Sequence, residues 1–227
     1  MSNLPVEPRE YCLYLPLYNG VSEVEIGLPR MHRLAKGEPR PESHRKPILF
    51  YGTSITHGAS ASRPGTCHPA IVGRRFMRPV INLGFSGNGK MEPELATLLA
   101  EQDPAVYVLD CLPNMVAAEV TERVEPFVRS LRKAHPTTPI VLVEDRFYAD
   151  SFLVASRKQR NADNHAALKA AQQRLVSAGV EGLHYLPAEQ LLDVDGDDTV
   201  DGSHPTDLGF WRQANAFEKV LRPLLEP

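Results

Sequence analysis

Short apolar runs recur along the chain, and the segments between them are long enough to form helices. Continuous runs of four or five apolar residues are typical of strands that are buried on both faces. The runs are Pro47–Tyr51, Val80–Leu83, Ala105–Leu109, Ile140–Val143 and Leu183–Leu186. The remaining pattern predicts helices near residues 67–77, 93–102, 119–135, 157–178 and 206–225. Strands joined by helices imply parallel crossovers, so the chain is predicted to be an α/β protein, a three-layer α/β/α sandwich with a central parallel sheet.

The N-terminal part of the chain has a different pattern. Residues 11–28 are strand-like on both sides of Asn19-Gly20, a step that favours a tight type I′ hairpin turn. Residues 35–46 are charged and contain proline, as a linker does. We therefore expect a short β-hairpin arm and linker over residues 1–46 and an α/β domain over residues 47–227. The pattern does not define an oligomeric state, and the arm is the candidate contact between copies.

Composition narrows the class of protein. A chain of 227 residues fits one large domain, and 42% hydrophobic and 23% charged residues are ordinary for a globular protein. The net charge of −3 gives no basic excess for a nucleic-acid partner. No apolar run approaches the roughly 20 residues of a membrane helix, and the N-terminus lacks an apolar signal core. Three widely spaced cysteines fit a reducing compartment, so we expect a cytoplasmic protein with no membrane partner.

The candidate chemistry lies where predicted strands end. Ligands of open parallel sheets bind beyond the carboxyl ends of the strands. Ser54 follows the first run and Gly87 lies in the glycine-rich turn after the second. Asn114 follows the third run, and Asp201 and His204 precede the last helix. These five residues therefore form one candidate site.

Three of these residues suit nucleophilic catalysis. A serine hydroxyl is a weak nucleophile unless a base removes its proton, and His204 is the best candidate for that base. Asp201, three residues earlier, can hold one imidazole nitrogen while the other faces Ser54. The structural alternatives are a helix N-cap for Ser54 and a surface turn for His204.

The two other residues suit stabilisation of an oxyanion. Gly87 can present an unobstructed backbone N–H, and Asn114 can present a side-chain amide. The glycine-rich turn lacks the spacings of the phosphate-binding motifs. The alternative for Asn114 is a turn residue that satisfies its own backbone.

Together these blocks resemble the SGNH (GDSL-type) hydrolase family over roughly residues 47–225. In this resemblance Ser54, Gly87, Asn114 and His204 are the four signature residues, and Asp201 completes the D-x-x-H block. The block around Ser54 has threonine in place of the usual aspartate, and the third block is C-L-P-N rather than G-x-N-D. The chain lacks the G-x-S-x-G motif of α/β-hydrolases. The residues before 46 resemble the end of an N-terminal β module that accompanies a subgroup of these enzymes.

The resemblance implies a flavodoxin-like fold and a serine esterase that forms an acyl-enzyme intermediate. Ser54 is then the nucleophile, and its N–H completes the oxyanion hole with Gly87 and Asn114. We expect small-molecule or carbohydrate esters with short acyl groups, acetyl-carbohydrates first, because no long apolar segment is available as a lid. No cofactor and no metal are expected. The alternatives are an acyltransferase with the same site and a non-catalytic carbohydrate-binding protein on this fold.

Two further features invite other interpretations. The acidic stretch 193–198 is rich in aspartate, but it lacks the glycine and glutamate positions of a calcium loop, so we expect a solvated turn. Arg63, Lys90 and Arg146 lie near predicted strand ends, where they could touch substrate, although a solvated surface position is the expectation for each.

Overall fold

The computed structural model describes residue 5 and residues 7–226; the other positions of the predicted arm and the last residue of the predicted domain lie outside the described part. Five strands form one parallel sheet in the order β2-β1-β3-β4-β5. They are β1 (Ile48–Gly52), β2 (Val80–Gly84), β3 (Val106–Asp110), β4 (Ile140–Val143) and β5 (Leu183–Leu186).

Helices cover both faces of this sheet and make the predicted three layers. Helices α3, α4 and α5 pack with one apolar cluster, and α2 and α6 pack with the other. The residues of β1 and β3 alternate between these two clusters and are fully buried, because a central strand is covered on both faces. The α-helices within the described residues are α1 (Ser54–His57), α2 (His68–Arg75), α3 (Pro93–Ala100), α4 (Ala117–Ala134), α5 (Ala155–Ser177) and α6 (Asp207–Leu225).

The predicted α/β sandwich with a parallel central sheet is confirmed. Strands β4 and β5 have the predicted bounds, and the first three strands continue one residue further than predicted. The extra residue of β1, Gly52, pairs with Gly84 on one side and with Asp110 on the other, so ladder pairing extends beyond the apolar run. Helix α1 is a single turn, too short to give a periodic pattern.

The predicted N-terminal hairpin is wrong. Residues 11–28 contain no strand, and within the described residues the sheet has no antiparallel strand pair. A type I′ turn needs positive φ at both central residues, and neither Asn19 nor Gly20 has it. Instead the segment runs extended over the surface, where Leu17 packs against the cluster beneath α2 and α6.

The helices also bear on the membrane prediction. Among the described residues, no helix combines the length and the apolar composition that crossing a membrane requires.

The carboxyl end of β1 is closely packed. A Cβ atom placed on Gly52 would lie 2.2 Å from Thr56 Oγ1 and 2.6 Å from the backbone oxygen of Asp110. The second of these atoms belongs to a paired strand and cannot move aside alone. The turn from β1 into α1 therefore needs glycine at this position.

We expect Gly52→Ala to lower the free energy of unfolding by about 1–3 kcal/mol, because the new methyl overpacks a rigid site. Gly20→Ala is the matched control, since a Cβ there meets no atom within 4 Å. The control should change the free energy by less than about 0.5 kcal/mol. Urea denaturation of both variants measures this difference, and equal stabilities would contradict the close packing at Gly52.

Candidate active site

Ser54 lies at the junction of β1 and α1. It is the first residue of α1, and the preceding Thr53 caps this helix by accepting a hydrogen bond from the backbone N–H of Ile55 at 3.3 Å. Thr53 is fully buried, whereas Ser54 is partly exposed. The capping role that sequence analysis left open for Ser54 therefore belongs to its neighbour, and the Ser54 hydroxyl points elsewhere.

Asp201 and His204 lie on a tight loop before α6. One Asp201 carboxylate oxygen accepts hydrogen bonds from the backbone N–H groups of Ser203 at 2.9 Å and His204 at 2.7 Å. The loop is closed by an antiparallel bridge between Thr199 and Pro205. The aspartate thus orders the backbone that carries the histidine.

The side chains of Ser54, His204 and Asp201 form one hydrogen-bonded chain. His204 Nε2 lies 2.9 Å from Ser54 Oγ, and His204 Nδ1 lies 2.7 Å from the second oxygen of Asp201. In neutral histidine the nitrogen beside the carboxylate carries the proton, so Nε2 accepts from the serine hydroxyl. The structure therefore brings together all three residues that the sequence singled out for nucleophilic catalysis.

The carboxylate is suited to hold that tautomer. Partial burial raises the pKa of the Asp201 carboxyl, but hydrogen bonds from His204 and Ser203 outweigh burial and hold this pKa below its usual range. Asp201 therefore stays ionised well into the acid range. Its side chain is 51% exposed, so water screens its charge more than in a buried pair.

The candidate oxyanion donors lie on the two loops that flank Ser54. The turn after β2 is fixed to β1, because the N–H of Phe85 donates to the carbonyl of Gly52 at 2.9 Å. Gly87 in this turn has φ of +73°, a conformation that favours glycine, and it is exposed. Asn114 Nδ2 donates to the backbone oxygen of Asn88 at 2.5 Å. Asn114 thus lies against the turn that contains Gly87, and its amide keeps a second N–H for another acceptor.

A buried ion pair lies beneath these loops. The Arg146 Nη1 and Nη2 atoms donate to the two carboxylate oxygens of Asp110 at 2.5 and 2.8 Å. Asp110 also accepts from the Thr56 hydroxyl at 3.0 Å, and Arg146 Nε donates to Gln213 at 2.9 Å. All four side chains are buried. They join the ends of β3 and β4 to α1, which begins with Ser54, and to α6, which follows His204.

A second buried carboxyl adjoins this pair. Burial raises the pKa of Asp145 to about 7, although the neighbouring Arg146 lowers it. Arg146 already pairs with Asp110, and the negative charge of Asp110 raises the pKa of Asp145 further. The charge of Arg146 therefore does not offset the burial of Asp145.

The structure corrects one expectation about the strand-end cations. Arg146 is neither solvated nor free to touch substrate, because the pairing with Asp110 commits its guanidinium to the interior. Arg63 is exposed, as expected. Lys90 is partly exposed, and its ammonium nitrogen lies 3.6 Å from a carboxylate oxygen of Glu119.

The acidic stretch 193–198 surrounds a single arginine. Arg212 of α6 lies 2.6 Å from Asp195 and 2.8 Å from Asp198, with Asp193 at 3.7 Å. Its guanidinium balances these carboxylates and fastens the stretch to α6. The pairing gives the cluster a structural role just before the loop that carries Asp201.

Sequence analysis missed the residues that support the site from below and from the arm. Asp110 ends an otherwise apolar run, and a charged residue at the end of a buried strand was the available signal. His57 donates from Nε2 to the backbone oxygen of Leu17 at 2.5 Å, and its ring stacks on Tyr18. No sequence pattern links the arm to this histidine.

Comparison with known proteins identifies the family. The model of the GDSL-like lipase/acylhydrolase family matches residues 45–222. No match was found among curated proteins. A protein from Bacteroides ovatus ATCC 8483, assigned as a GDSL-like lipase, has a crystal structure with 38% sequence identity and a TM-score of 0.77. The similarity covers 80% of this chain and 54% of that chain.

Two more distant structures share the fold. The salicylyl-acyltransferase SsfX3 from a tetracycline biosynthetic pathway is 23% identical with a TM-score of 0.65, over 79% of this chain and 55% of that chain. A carbohydrate acetylesterase family member from Sinorhizobium meliloti is 17% identical with a TM-score of 0.60, over 80% of this chain and 100% of that chain. The chain thus spans about half the length of the first two of these proteins. With most of its sequence matched by the family model, the chain belongs to the GDSL-like lipase/acylhydrolase family.

Proposed function

We propose that this protein is a serine esterase that hydrolyses carboxylic esters through an acyl-enzyme intermediate. The observation that carries the proposal is the chain of hydrogen bonds from Ser54 through His204 to Asp201, with distances of 2.9 and 2.7 Å. A nucleophile, a base and a group that orients the base are the parts that acyl transfer requires. Membership of the family supports the same activity.

The first half of the reaction transfers the acyl group to the enzyme. His204 Nε2 takes the proton as Ser54 Oγ attacks the ester carbonyl, and the ionised Asp201 stabilises the resulting imidazolium. His204 then returns the proton to the alcohol oxygen as the bond between the carbonyl carbon and that oxygen breaks. In the second half, water attacks the acyl-enzyme with His204 again as base, which releases the acid and restores Ser54.

The oxyanion of each tetrahedral intermediate needs hydrogen-bond donors. We assign the backbone N–H groups of Ser54 and Gly87 and the free N–H of the Asn114 amide. Three facts support this assignment. Gly87 lies on an exposed turn that is hydrogen-bonded to β1, and Asn114 is hydrogen-bonded to that turn. The two loops follow β2 and β3, the strands on either side of β1.

Short acyl groups on small-molecule or carbohydrate alcohols are the proposed substrates. The Sinorhizobium meliloti neighbour, a carbohydrate acetylesterase family member, supports an acetyl-carbohydrate as the first ester to assay. That neighbour shares only the fold at 17% identity, so the assay and not the likeness decides the substrate.

Replacing the nucleophile should abolish turnover without unfolding the protein. We expect Ser54→Ala to remove hydrolysis of acetyl esters and to keep the melting temperature, because Thr53 and not Ser54 caps the helix. Ser177→Ala, an exposed serine at the end of α5, is the matched control and should be fully active.

A fluorophosphonate should label the wild-type protein at Ser54 only, which peptide mass spectrometry measures. Labelling at another serine would refute the assignment of the nucleophile, as would full activity of the Ser54→Ala protein.

The Asn114 amide can be tested separately from its structural contact. Loss of one oxyanion donor typically costs about 10²–10³ in kcat. We therefore expect Asn114→Ala to lower kcat by that factor while KM changes much less. Asn114→Asp should be at least as damaging, because it places a negative charge beside the oxyanion.

Melting temperatures of the same variants provide the control. The hydrogen bond from Asn114 to Asn88 is lost in the alanine variant, so a small loss of stability is expected in any case. A lowered melting temperature with an unchanged kcat would remove Asn114 from the oxyanion hole.

A further inference from the structure

The N-terminal arm is fastened beside the candidate active site, outside the region that the family model matches. That match covers residues 45–222, whereas the contacts concern residues 14–19. Arg74 of α2 donates to the Tyr14 hydroxyl at 3.1 Å, and Leu17 packs into the cluster between the sheet and α6. His57 donates to the Leu17 carbonyl, which fixes the backbone of the arm to the end of α1. The arm is thus held by three contacts, one at Tyr14 and two at Leu17.

Tyr18 contacts both elements that flank the nucleophile. Its ring stacks on His57 with a centroid distance of 4.0 Å and an angle of 14° between the ring planes. His57 is the last residue of the helix that Ser54 begins. The Tyr18 hydroxyl lies 3.4 Å from the Ser86 hydroxyl oxygen, and Ser86 precedes Gly87. Tyr18 as a whole residue is 53% exposed.

A cavity of about 260 Å³ lies between the arm and the loop that follows α1. Residues 16–19 form one wall, and Gly58 and residues 60–64 form the other. The residues that line it include Tyr18, Asn19 and Arg63, whose side chains carry an aromatic ring, an amide and a guanidinium, together with Ser60 and Ser62. This set combines an aromatic face with several hydrogen-bonding groups, and the volume suits one small polar ring.

One wall of the cavity is tied to the helix that follows His204. The loop after α1 is tied to the start of α6, because Asp207 accepts hydrogen bonds from the Ser62 N–H at 3.0 Å and the Thr66 hydroxyl at 2.8 Å. Asp207 is three residues beyond His204, the residue that protonates the leaving alcohol. Gly58 in the cavity wall donates its N–H to the Ser54 carbonyl at 3.0 Å. The cavity wall is therefore bonded to α1, which begins with Ser54, and to α6, which follows His204, although neither of these two residues lines the cavity itself.

We propose that this cavity binds the alcohol portion of the ester, a hydroxyl-bearing ring such as a sugar, and that Tyr18 determines specificity for it. The inference rests on the proposed esterase function. It assigns the arm a direct part in substrate selection, because one of the two walls of the cavity comes from outside the region that the family model matches.

Two acetate esters separate this role from general support of the site. In 6-O-acetylglucose the alcohol is large enough to fill the cavity, whereas in methyl acetate it is too small to reach the arm. We expect Tyr18→Ala to lower kcat/KM for 6-O-acetylglucose about tenfold, mainly through KM, and to change it less than twofold for methyl acetate. Tyr18→Phe keeps the ring and should show a smaller loss.

Tyr11→Ala is the matched control, since Tyr11 is an arm tyrosine that is 67% exposed and lies outside the cavity lining. This control should leave both esters unaffected. An equal loss of kcat/KM for the two esters in Tyr18→Ala would show that Tyr18 only supports α1 and would overturn the inference. Unchanged values for both esters would overturn it as well.

A binding measurement keeps this inference distinct from the proposed function. If wild-type protein hydrolyses no ester, the proposed function fails. Calorimetric binding of 6-O-acetylglucose to the Ser54→Ala protein then decides about the cavity. Binding that Tyr18→Ala weakens about tenfold supports the assignment of the cavity, and binding that is absent or independent of Tyr18 overturns it.

Discussion

The ion pair between Asp110 and Arg146 is the constraint on which the geometry of the site depends. Two charges removed from water are costly, and only good geometry with further hydrogen bonds offsets that cost. Here the guanidinium binds both carboxylate oxygens. Asp110 also accepts a hydrogen bond from Thr56 of α1, and Arg146 also donates one to Gln213 of α6. The pair therefore joins the helix that carries the candidate nucleophile to the helix that follows the candidate base. Both approach the sheet from different parts of the chain, and the buried network fixes their separation.

The sequence predicted the layers of this fold because the central strands are buried on both faces. A continuous apolar run as short as Ile140–Val143 suits a buried strand better than a helix, which typically needs about ten or more residues. The prediction of an N-terminal hairpin was wrong because the structure of the arm depends on contacts with distant residues. Alternating residues at 11–28 fit a strand locally, but a strand needs a partner, and the arm instead binds the surface through Leu17 and Tyr18. Such contacts with distant residues have no local pattern.

The same difference explains which site residues were found. Ser54 and His204 follow from strand ends and short spacings, which are local properties of the sequence. Arg146 also lies just beyond a strand end, and its burial depends on Asp110 and Gln213, which are 36 and 67 residues away. The position of Arg146 in the sequence thus correctly predicted that it lies near the edge of the sheet. It could not show whether its side chain faces the candidate site or is buried beneath it.

The most direct test of this view asks whether Arg146 sets the reactivity of Ser54 in folded protein. Lysine keeps the charge but lacks the planar fork that binds both oxygens of Asp110. We expect Arg146→Lys to fold at room temperature and to react with a fluorophosphonate at Ser54 about tenfold more slowly than the wild type or Arg129→Lys, a control at an exposed arginine of α4. A purely structural role would lower the melting temperature and leave the rate of labelling unchanged. Folded Arg146→Lys protein that is labelled at the wild-type rate would contradict the claim that this ion pair aligns the site.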